Sequence, residues 1–132
     1  MHLFTVIQST EIFRRHYQMV EQGIHPDKMT YNSLILGHLR EGKLSKVEDL
    51  VSDMKINGLN PKADTYNILV KGFCELNNFG EAYIWYREMF ENGFLPSHSI
   101  CNELATGLKR EGRLKEAQII SSEMSIKGMD VM

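Results

Sequence analysis

The sequence predicts an all-α fold in which similar helix–turn–helix units stack into an α-solenoid. The first observation is a repeat, because the Thr-Tyr-Asn opening at residues 30–32 returns at 65–67, Asn102 follows, and the intervals 67 − 32 and 102 − 67 are both 35. The second is that each period holds two segments whose apolar residues recur at helical spacing. The third is that glycine and proline close each period at fixed positions. A fixed period without insertion indicates that every unit packs on the next in the same way.

Length, composition and charge limit the classes of protein to which this sequence can belong. The chain has 132 residues, one domain's worth, and its 42% hydrophobic content is too apolar for a disordered segment. A formal net charge of -2 lacks the strongly basic signature of an autonomous nucleic-acid binder, so any nucleic-acid contact must come from a local patch. The apolar runs are far shorter than the roughly 20 residues of a bilayer crossing, so we expect no membrane association. The two cysteines, Cys74 and Cys101, form neither a disulfide framework nor a CxxC pair, which favours a reducing compartment.

The first helix of the unit is predicted between Thr30 and Arg40. Residues 41–43, Glu-Gly-Lys, interrupt the helical pattern and predict a turn. The apolar stripe of this helix comprises Tyr31, Leu34, Ile35, His38 and Leu39.

A second helix is predicted to begin at Ser45, because Ser45 and Glu48 form the S-x-x-E pattern of a capping box. Gly58 is expected to close this helix in a left-handed conformation, and Pro61 prevents its continuation into the next unit. The apolar stripe comprises Val47, Leu50, Val51 and Met54.

The same register divides the chain into four units that together form one solenoid domain. Residues 1–27 are predicted to be an incomplete repeat, mainly its second helix, and complete repeats are predicted over 28–62, 63–97 and 98–132. Asn77 replaces the turn glycine of the middle repeat, which is tolerable because asparagine enters left-handed conformations more easily than most residues. The later second helices carry apolar stripes at Ala82, Trp85, Tyr86 and Met89, and at Ala117, Ile120 and Met124.

The incomplete first unit has a consequence for association. It leaves apolar residues such as Leu3, Phe4 and Phe13 without an upstream neighbour, and an exposed patch of this kind promotes contact with another molecule. We therefore expect self-association or poor solubility. A start inside a repeat also favours the view that the chain is part of a longer array.

These residues resemble the pentatricopeptide repeat family, in its 35-residue P-type form. The resemblance rests on the openings TYNSLILG and TYNILVKG and on the second helices EAYIWYREMFENGFLP and EAQIISSEMSIKG, and it covers nearly all of residues 9–132. It implies a right-handed α-solenoid whose first helices line a concave groove, with single-stranded RNA bound one base per repeat. The tetratricopeptide repeat has a period of about 34 residues and a different signature, so we set it aside as the fold.

The resemblance implies which residues read bases. In this family a polar residue of the first helix acts together with the last residue of the same repeat. The corresponding pairs here are Asn32 with Lys62, Asn67 with Ser97, and Asn102 with Met132. An asparagine amide offers both a donor and an acceptor, and in the family it goes with U or C, so a pyrimidine preference is expected. Only the pair Asn67 and Ser97 indicates one base, with a lean toward C, because Lys62 and Met132 match neither the U nor the C class.

The resemblance also implies stacking and backbone contacts. Met29 is expected to wedge between bases, whereas the equivalent positions hold Asp64 and Ser99. Arg40 and Arg110 are expected to meet phosphates at the ends of first helices, whereas Glu75 opposes that role in the middle repeat.

No enzyme, metal or cofactor is expected. The five histidines and two cysteines lack the spacing of metal ligands, and no G-x-S-x-G motif, P-loop or nucleophile–base arrangement is present. The nuclease and deaminase activities found in the family belong to additional C-terminal domains, which this sequence does not contain.

The resemblance therefore predicts sequence-directed binding of pyrimidine-rich single-stranded RNA in organellar RNA processing, stability, splicing or translation. It implies a mitochondrial or chloroplast location, although the opening MHLFTVIQST lacks the composition of a transit peptide. Other organellar RNA-processing proteins are expected partners. The alternative is a protein–protein interaction scaffold that uses the same concave surface, which the acidic pI and the residues Asp64, Glu75 and Met132 favour.

Overall fold

The computed structural model describes residues 26–131, and the side chains of residues 26–126. Six α-helices follow one another in this part of the chain, which contains no strand. They are α1 (Lys28–Arg40), α2 (Leu44–Ile56), α3 (Ala63–Glu75), α4 (Phe79–Glu91), α5 (His98–Arg110) and α6 (Leu114–Val131). The first helices begin at residues 28, 63 and 98 and the second helices at 44, 79 and 114, so both series advance by 35. The predicted all-α repeat fold is confirmed, whereas the predictions for residues 1–25 and for Met132 lie outside the described residues.

The chain divides into two compact units, one ending at Pro61 and one beginning at Lys62. The described part of the first unit is the hairpin of α1 and α2. Its core consists of the two predicted stripes, and all nine residues of those stripes are buried. Asp27 caps α1, because its carboxylate accepts hydrogen bonds of 2.9 Å from both the backbone N–H and the hydroxyl of Thr30. The same hydrogen bonds hold the pKa of Asp27 below its usual value.

The start of α2 differs from the prediction. The helix begins at Leu44, Lys43 is the N-cap residue, and no side chain caps the helix. Gly42, with φ of 72°, turns the chain so that the Lys43 carbonyl accepts the first helical hydrogen bond, from Val47 N–H at 3.3 Å. Ser45 therefore lies inside the first turn and is exposed to solvent, so the predicted capping box with Glu48 is wrong.

The second unit contains two hairpins, α3 with α4 and α5 with α6, and α5 packs on both α3 and α4. The predicted apolar stripe of α4 is buried, as are Ala117 and Ile120 of α6. One close approach sets the packing of the two hairpins. A Cβ on Gly107 of α5 would overlap ring atoms of Phe79, which opens α4. Glycine at residue 107 therefore lets the Phe79 ring lie directly against the α5 backbone.

The turns follow the predicted glycine register. Gly58 has φ of 81°, and Asn77, the replacement in the middle repeat, has φ of 57°. The last helix departs from this register, because α6 continues through Gly128 to Val131. Where the earlier repeats have Pro61 and Pro96, the sequence has Val131, which retains the backbone N–H that a continuing helix requires. No helix in the described part of the chain is long and apolar enough to cross a bilayer.

Candidate functional site

A buried tyrosine, Tyr31, links α1 to α2 in the first compact unit. The hydroxyl of Tyr31 donates to Asp53 Oδ2 at 2.8 Å and accepts from Asn57 Nδ2 at 2.8 Å. The ring is 0% exposed. Burial, followed by the hydrogen bond to Asp53, raises the pKa of Tyr31 to about 12, so the hydroxyl remains a donor at neutral pH.

The same arrangement recurs in α3 and α4 of the second unit. The hydroxyl of Tyr66 donates to Glu88 Oε2 at 2.9 Å, and Asn92 Nδ2 reaches that hydroxyl at 3.5 Å and the Glu88 carbonyl at 2.7 Å. Burial and the neighbouring carboxylate raise the pKa of Tyr66 above its ordinary value. Each of these tyrosines directly precedes an asparagine of the predicted reading series, so the anchor fixes the helical turn that presents it.

The third repeat changes this arrangement. Cys101 stands one period after Tyr66, at the tyrosine position of the first two repeats. Glu123 stands one period after Glu88, and it accepts hydrogen bonds from the Tyr86 hydroxyl at 2.8 Å and from Arg87 Nη1 at 2.6 Å. The acid therefore ties α6 to α4 rather than to α5. Sequence reasoning missed this contact, although the combination of a lost tyrosine and a retained acid was a visible signal.

The three candidate asparagines differ in exposure. Asn32 and Asn67 are half-buried, and Asn102 is exposed. Asn67 Oδ1 is itself buried and accepts no hydrogen bond from the described residues. A buried acceptor without a partner costs about 1–3 kcal/mol, so a ligand donor placed here would be favourable.

The second members of the predicted pairs lie where first helices begin. Lys62 is the N-cap residue of α3, exposed and without a side-chain cap, and Ser97 is the N-cap residue of α5. The Ser97 Oγ accepts from the Ile100 N–H at 3.3 Å, which leaves its hydroxyl hydrogen available to donate. Asn67 and Ser97 belong to the same unit, whereas Asn32 and Lys62 belong to different units. The partner predicted for Asn102, Met132, lies outside the described residues.

The predicted stacking and backbone residues are accessible. Met29 is 75% exposed, and Arg40 and Arg110 are exposed at the ends of α1 and α5. The Arg110 guanidinium lies over the Phe79 ring, 5.9 Å from its centroid. Glu75 is exposed at the end of α3, so the charge along this series of positions alternates.

The cysteines do not form a reactive site in the described part of the chain. Cys74 and Cys101 are buried and not disulfide-bonded. Burial raises the pKa of Cys74 to about 12, so its nucleophilic thiolate is rare at neutral pH. Among the side chains described for residues 26–126, no group of three or more histidine, cysteine or acidic residues is placed to hold a metal ion.

The fold and the exposed polar series define a helical-hairpin repeat protein. Its backbone is similar to the crystal structure of the pentatricopeptide repeat protein PPR10 from maize, with a TM-score of 0.70, 26% identity and coverage of 92% of this chain and 17% of that chain. It is also similar to PPR10 in complex with an 18-nt psaJ RNA element, with a TM-score of 0.69, 28% identity and coverage of 85% of this chain and 16% of that chain.

Sequence comparison gives the family. A protein-family model described as "PPR repeat family" matches residues 26–75, and a second one described as "PPR repeat" matches residues 64–94. The two matches together span more than half of the chain. A mitochondrial pentatricopeptide repeat-containing protein of Arabidopsis thaliana is 51% identical over 55 residues, which are 41% of this chain and 7% of that protein. The chain belongs to the pentatricopeptide repeat family, and it spans a small fraction of the length of these relatives.

Proposed function

We propose that the chain binds pyrimidine-rich single-stranded RNA, one base per repeat, through the residues that begin its first helices. The observation that carries the proposal is the asparagine series at residues 32, 67 and 102. These residues recur at the 35-residue period outside the buried stripes, in a chain whose backbone is similar to PPR10 bound to RNA. The recurrence of one polar residue type at a fixed position outside the buried stripes supports a common role in binding.

The middle repeat offers the most specific chemistry. Cytosine has an exocyclic amino donor beside ring and carbonyl acceptors on its Watson–Crick edge. In the proposed complex, Asn67 Oδ1 accepts from the amino group, which satisfies the buried oxygen, while the Asn67 amide N–H and the Ser97 hydroxyl are available as donors. This matches the lean toward C. The pairs Asn32 with Lys62 and Asn102 with Met132 contribute pyrimidine preference through their asparagines.

Backbone contacts in the complex come from few charges. Met29 stacks on a base, and Arg40 and Arg110 bind phosphates. Asp64 and Glu75 are exposed on α3 and repel the RNA backbone there, so the electrostatic contribution is uneven along the chain. Useful affinity then requires further repeats, self-association or a partner that holds the RNA.

The biological setting follows from the relatives. We propose a mitochondrial or chloroplast location, and the mitochondrial Arabidopsis relative supports an organellar one. The role is in RNA processing, stability, splicing or translation, together with other organellar RNA-processing proteins. Binding without catalysis accounts for this role, since sequence-directed occupancy of an RNA alters its access to other enzymes.

Substitution of Asn67 tests base reading. We expect Asn67→Ala to weaken binding of C-rich single-stranded RNA, because the amide that matches the base is removed, and Asn67→Thr to shift preference toward purines. Binding is measured by fluorescence anisotropy with C-rich, U-rich and A-rich oligonucleotides. Asn60→Ala is the matched control, because Asn60 is exposed between α2 and α3 and belongs to no predicted pair. Unchanged affinity and base preference in both Asn67 variants would refute reading at this residue.

A protein-binding scaffold is the second candidate. The exposed carboxylates of Asp64 and Glu75, on the helix that would face the RNA, favour a basic protein segment over a nucleic acid there. The same titrations separate the two, because a scaffold would bind none of the oligonucleotides at any salt concentration.

A further inference from the structure

The arginines of the second unit are not equally available to an anion. Arg87 is held by two acids, with Nη1 2.6 Å from Glu123 Oε2 and Nη2 3.6 Å from Glu91 Oε1. Two further acids neighbour Arg113, since its Nε lies 3.7 Å from Glu111 and its Nη1 3.4 Å from Glu116. The positive charge of both guanidinium groups is therefore largely compensated.

Arg110 has a different environment. It forms no ion pair with the side chains described for residues 26–126, and its guanidinium lies over the ring of Phe79, 5.9 Å from the centroid. A guanidinium above a ring face retains its full charge and keeps its N–H donors at the edges, where they can meet a phosphate in a planar, two-pronged geometry. Arg110 is thus restricted in position without being neutralised.

The position of the Phe79 ring is fixed in turn by the fold. Phe79 is 5% exposed, and its ring lies where a Cβ of residue 107 would be. The equivalent residues one period before and after are Leu44 and Leu114, which have no ring to offer a cation. The combination of Gly107, Phe79 and Arg110 is therefore a property of the contact between the second and third repeats in this unit.

We propose that Phe79 is a positioning residue for RNA binding: it holds Arg110 in the orientation that receives a backbone phosphate. The inference rests on the proposed RNA binding. It identifies a contribution from a second helix, which lies outside the pairs that read bases, and it makes the junction of the second and third repeats the main phosphate contact of this unit. Binding at this contact is independent of base identity.

The test compares Phe79→Leu with Arg110→Gln, using a C-rich single-stranded RNA across a salt series. Leucine occupies the equivalent position in the other two repeats, so the fold accommodates it. We expect Arg110→Gln to reduce the slope of log affinity against log salt by about 0.7, the value for one phosphate contact on a single strand. Phe79→Leu should weaken binding about two- to fivefold, with a smaller loss of slope, and should add nothing in the Arg110→Gln background.

Two controls separate positioning from stability. Phe73→Leu makes the same chemical change at a buried ring of α3 and should leave the salt slope unchanged. Phe79→Tyr retains the ring face and should retain native binding. The δ-proton resonances of Arg110 give a readout that needs no RNA, because the ring shifts them upfield in the native chain and in Phe79→Tyr but not in Phe79→Leu.

Each outcome decides the inference. A lost upfield shift together with weaker, less salt-dependent binding in Phe79→Leu supports it. Native-like affinity in Phe79→Leu, or weaker binding with an unchanged salt slope, would overturn it while leaving RNA binding intact. If the native chain binds no RNA at any salt concentration, the proposed function is wrong and this inference falls with it.

Discussion

Replacing Gly107 with alanine perturbs the packing of α5 on α4 at one defined atom. A Cβ at residue 107 would overlap Phe79, and its three nearest atoms all belong to that ring. Optimal carbon–carbon contacts are about 3.5–4.0 Å, so the ring or the helix must move. The Phe79 side chain is only 5% exposed, so a movement of the ring disturbs packed neighbours. Gly37, two periods earlier in α1, has no atom of residues 26–126 within 4 Å of its added Cβ apart from its chain neighbours and the backbone of its own helix.

The two substitutions should therefore differ in sign. Alanine in place of glycine inside a helix is favourable by about 0.5–1 kcal/mol. Overpacking a filled core costs about 1–3 kcal/mol. We expect Gly107→Ala to lower the free energy of unfolding of the second unit by up to about 2.5 kcal/mol, and Gly37→Ala to raise that of the first by up to about 1 kcal/mol.

Urea unfolding measures this effect. Trp85 is the single tryptophan of the chain and is buried in α4, so its fluorescence reports on the second unit, while circular dichroism reports on all helices. A double-mutant cycle isolates the contact, because Phe79→Ala removes the ring that the new Cβ meets. In that background Gly107→Ala should become favourable by about 0.5–1 kcal/mol.

Two results would refute this reasoning. One is an increase in stability for Gly107→Ala similar to that of Gly37→Ala, which would mean that the ring moves without cost. The other is the same loss of stability for Gly107→Ala in the presence and absence of the Phe79 ring, which would place the cost elsewhere in α5.

Two further predictions concern a helix cap and a buried histidine. Ser97→Ala should lower the free energy of unfolding by about 1 kcal/mol, because Ser97 caps α5. Ser45→Ala should leave it nearly unchanged, because Ser45 caps no helix. Urea unfolding of the two variants tests this, and a larger loss of stability for Ser45→Ala would contradict the observed caps. Burial, followed by the charges of Lys43 and Lys46, lowers the pKa of His38, so the unfolded chain binds more protons than the native one below the ordinary value of 6.5. Stability should therefore fall as pH falls through 6.5. Thermal unfolding between pH 7 and 5 should show a weaker dependence of stability on pH in His38→Leu than in His98→Gln, which changes an exposed histidine as a control. An equal pH dependence in both variants would contradict the role of His38.

Local periodicity was sufficient to predict most of the fold. The 35-residue repeat placed all six described helices, and the apolar stripes around Tyr31 and Trp85 predicted the buried faces, because burial follows helical spacing directly. Ser45 misled the prediction since a capping pattern does not determine which residue starts the helix when a left-handed glycine precedes it. Helix α6 continues past Gly128, which stands one period after Gly93, because helix termination at glycine depends on the residues that follow.

The repeat pattern did not predict the side-chain contacts between repeats. Glu123 accepts hydrogen bonds from Tyr86 and Arg87, and Cys101 stands where the other repeats have a tyrosine. Predicting that contact requires knowing which helices touch. The contact of the Phe79 ring with Gly107 could not be predicted for the same reason, since the sequence shows a glycine at a repeated position but not the ring that packs against it. The assignments of Asn32, Asn67 and Asn102 remain predictions from family resemblance.

The expected affinity follows from the number of repeats. Three complete repeats meet about three bases, each worth roughly 1–3 kcal/mol from stacking and hydrogen bonding. Association itself costs about 4–15 kcal/mol, and a net charge of -2 adds little attraction to the RNA. The isolated chain should therefore bind RNA with a dissociation constant of about 100 µM or weaker at physiological salt.

The most direct test of RNA binding is a titration of the verified monomer with a C-rich single-stranded RNA, observed through amide and Asn67 side-chain resonances by NMR. The predicted result is binding with a dissociation constant of about 100 µM or weaker, with shifts at Asn67 and Ser97 that an A-rich RNA of equal length does not reproduce. Nanomolar binding by the monomer would show that contacts outside this series dominate. An absence of any shift at millimolar RNA, or equal shifts with both RNAs, would contradict sequence-directed binding by this chain.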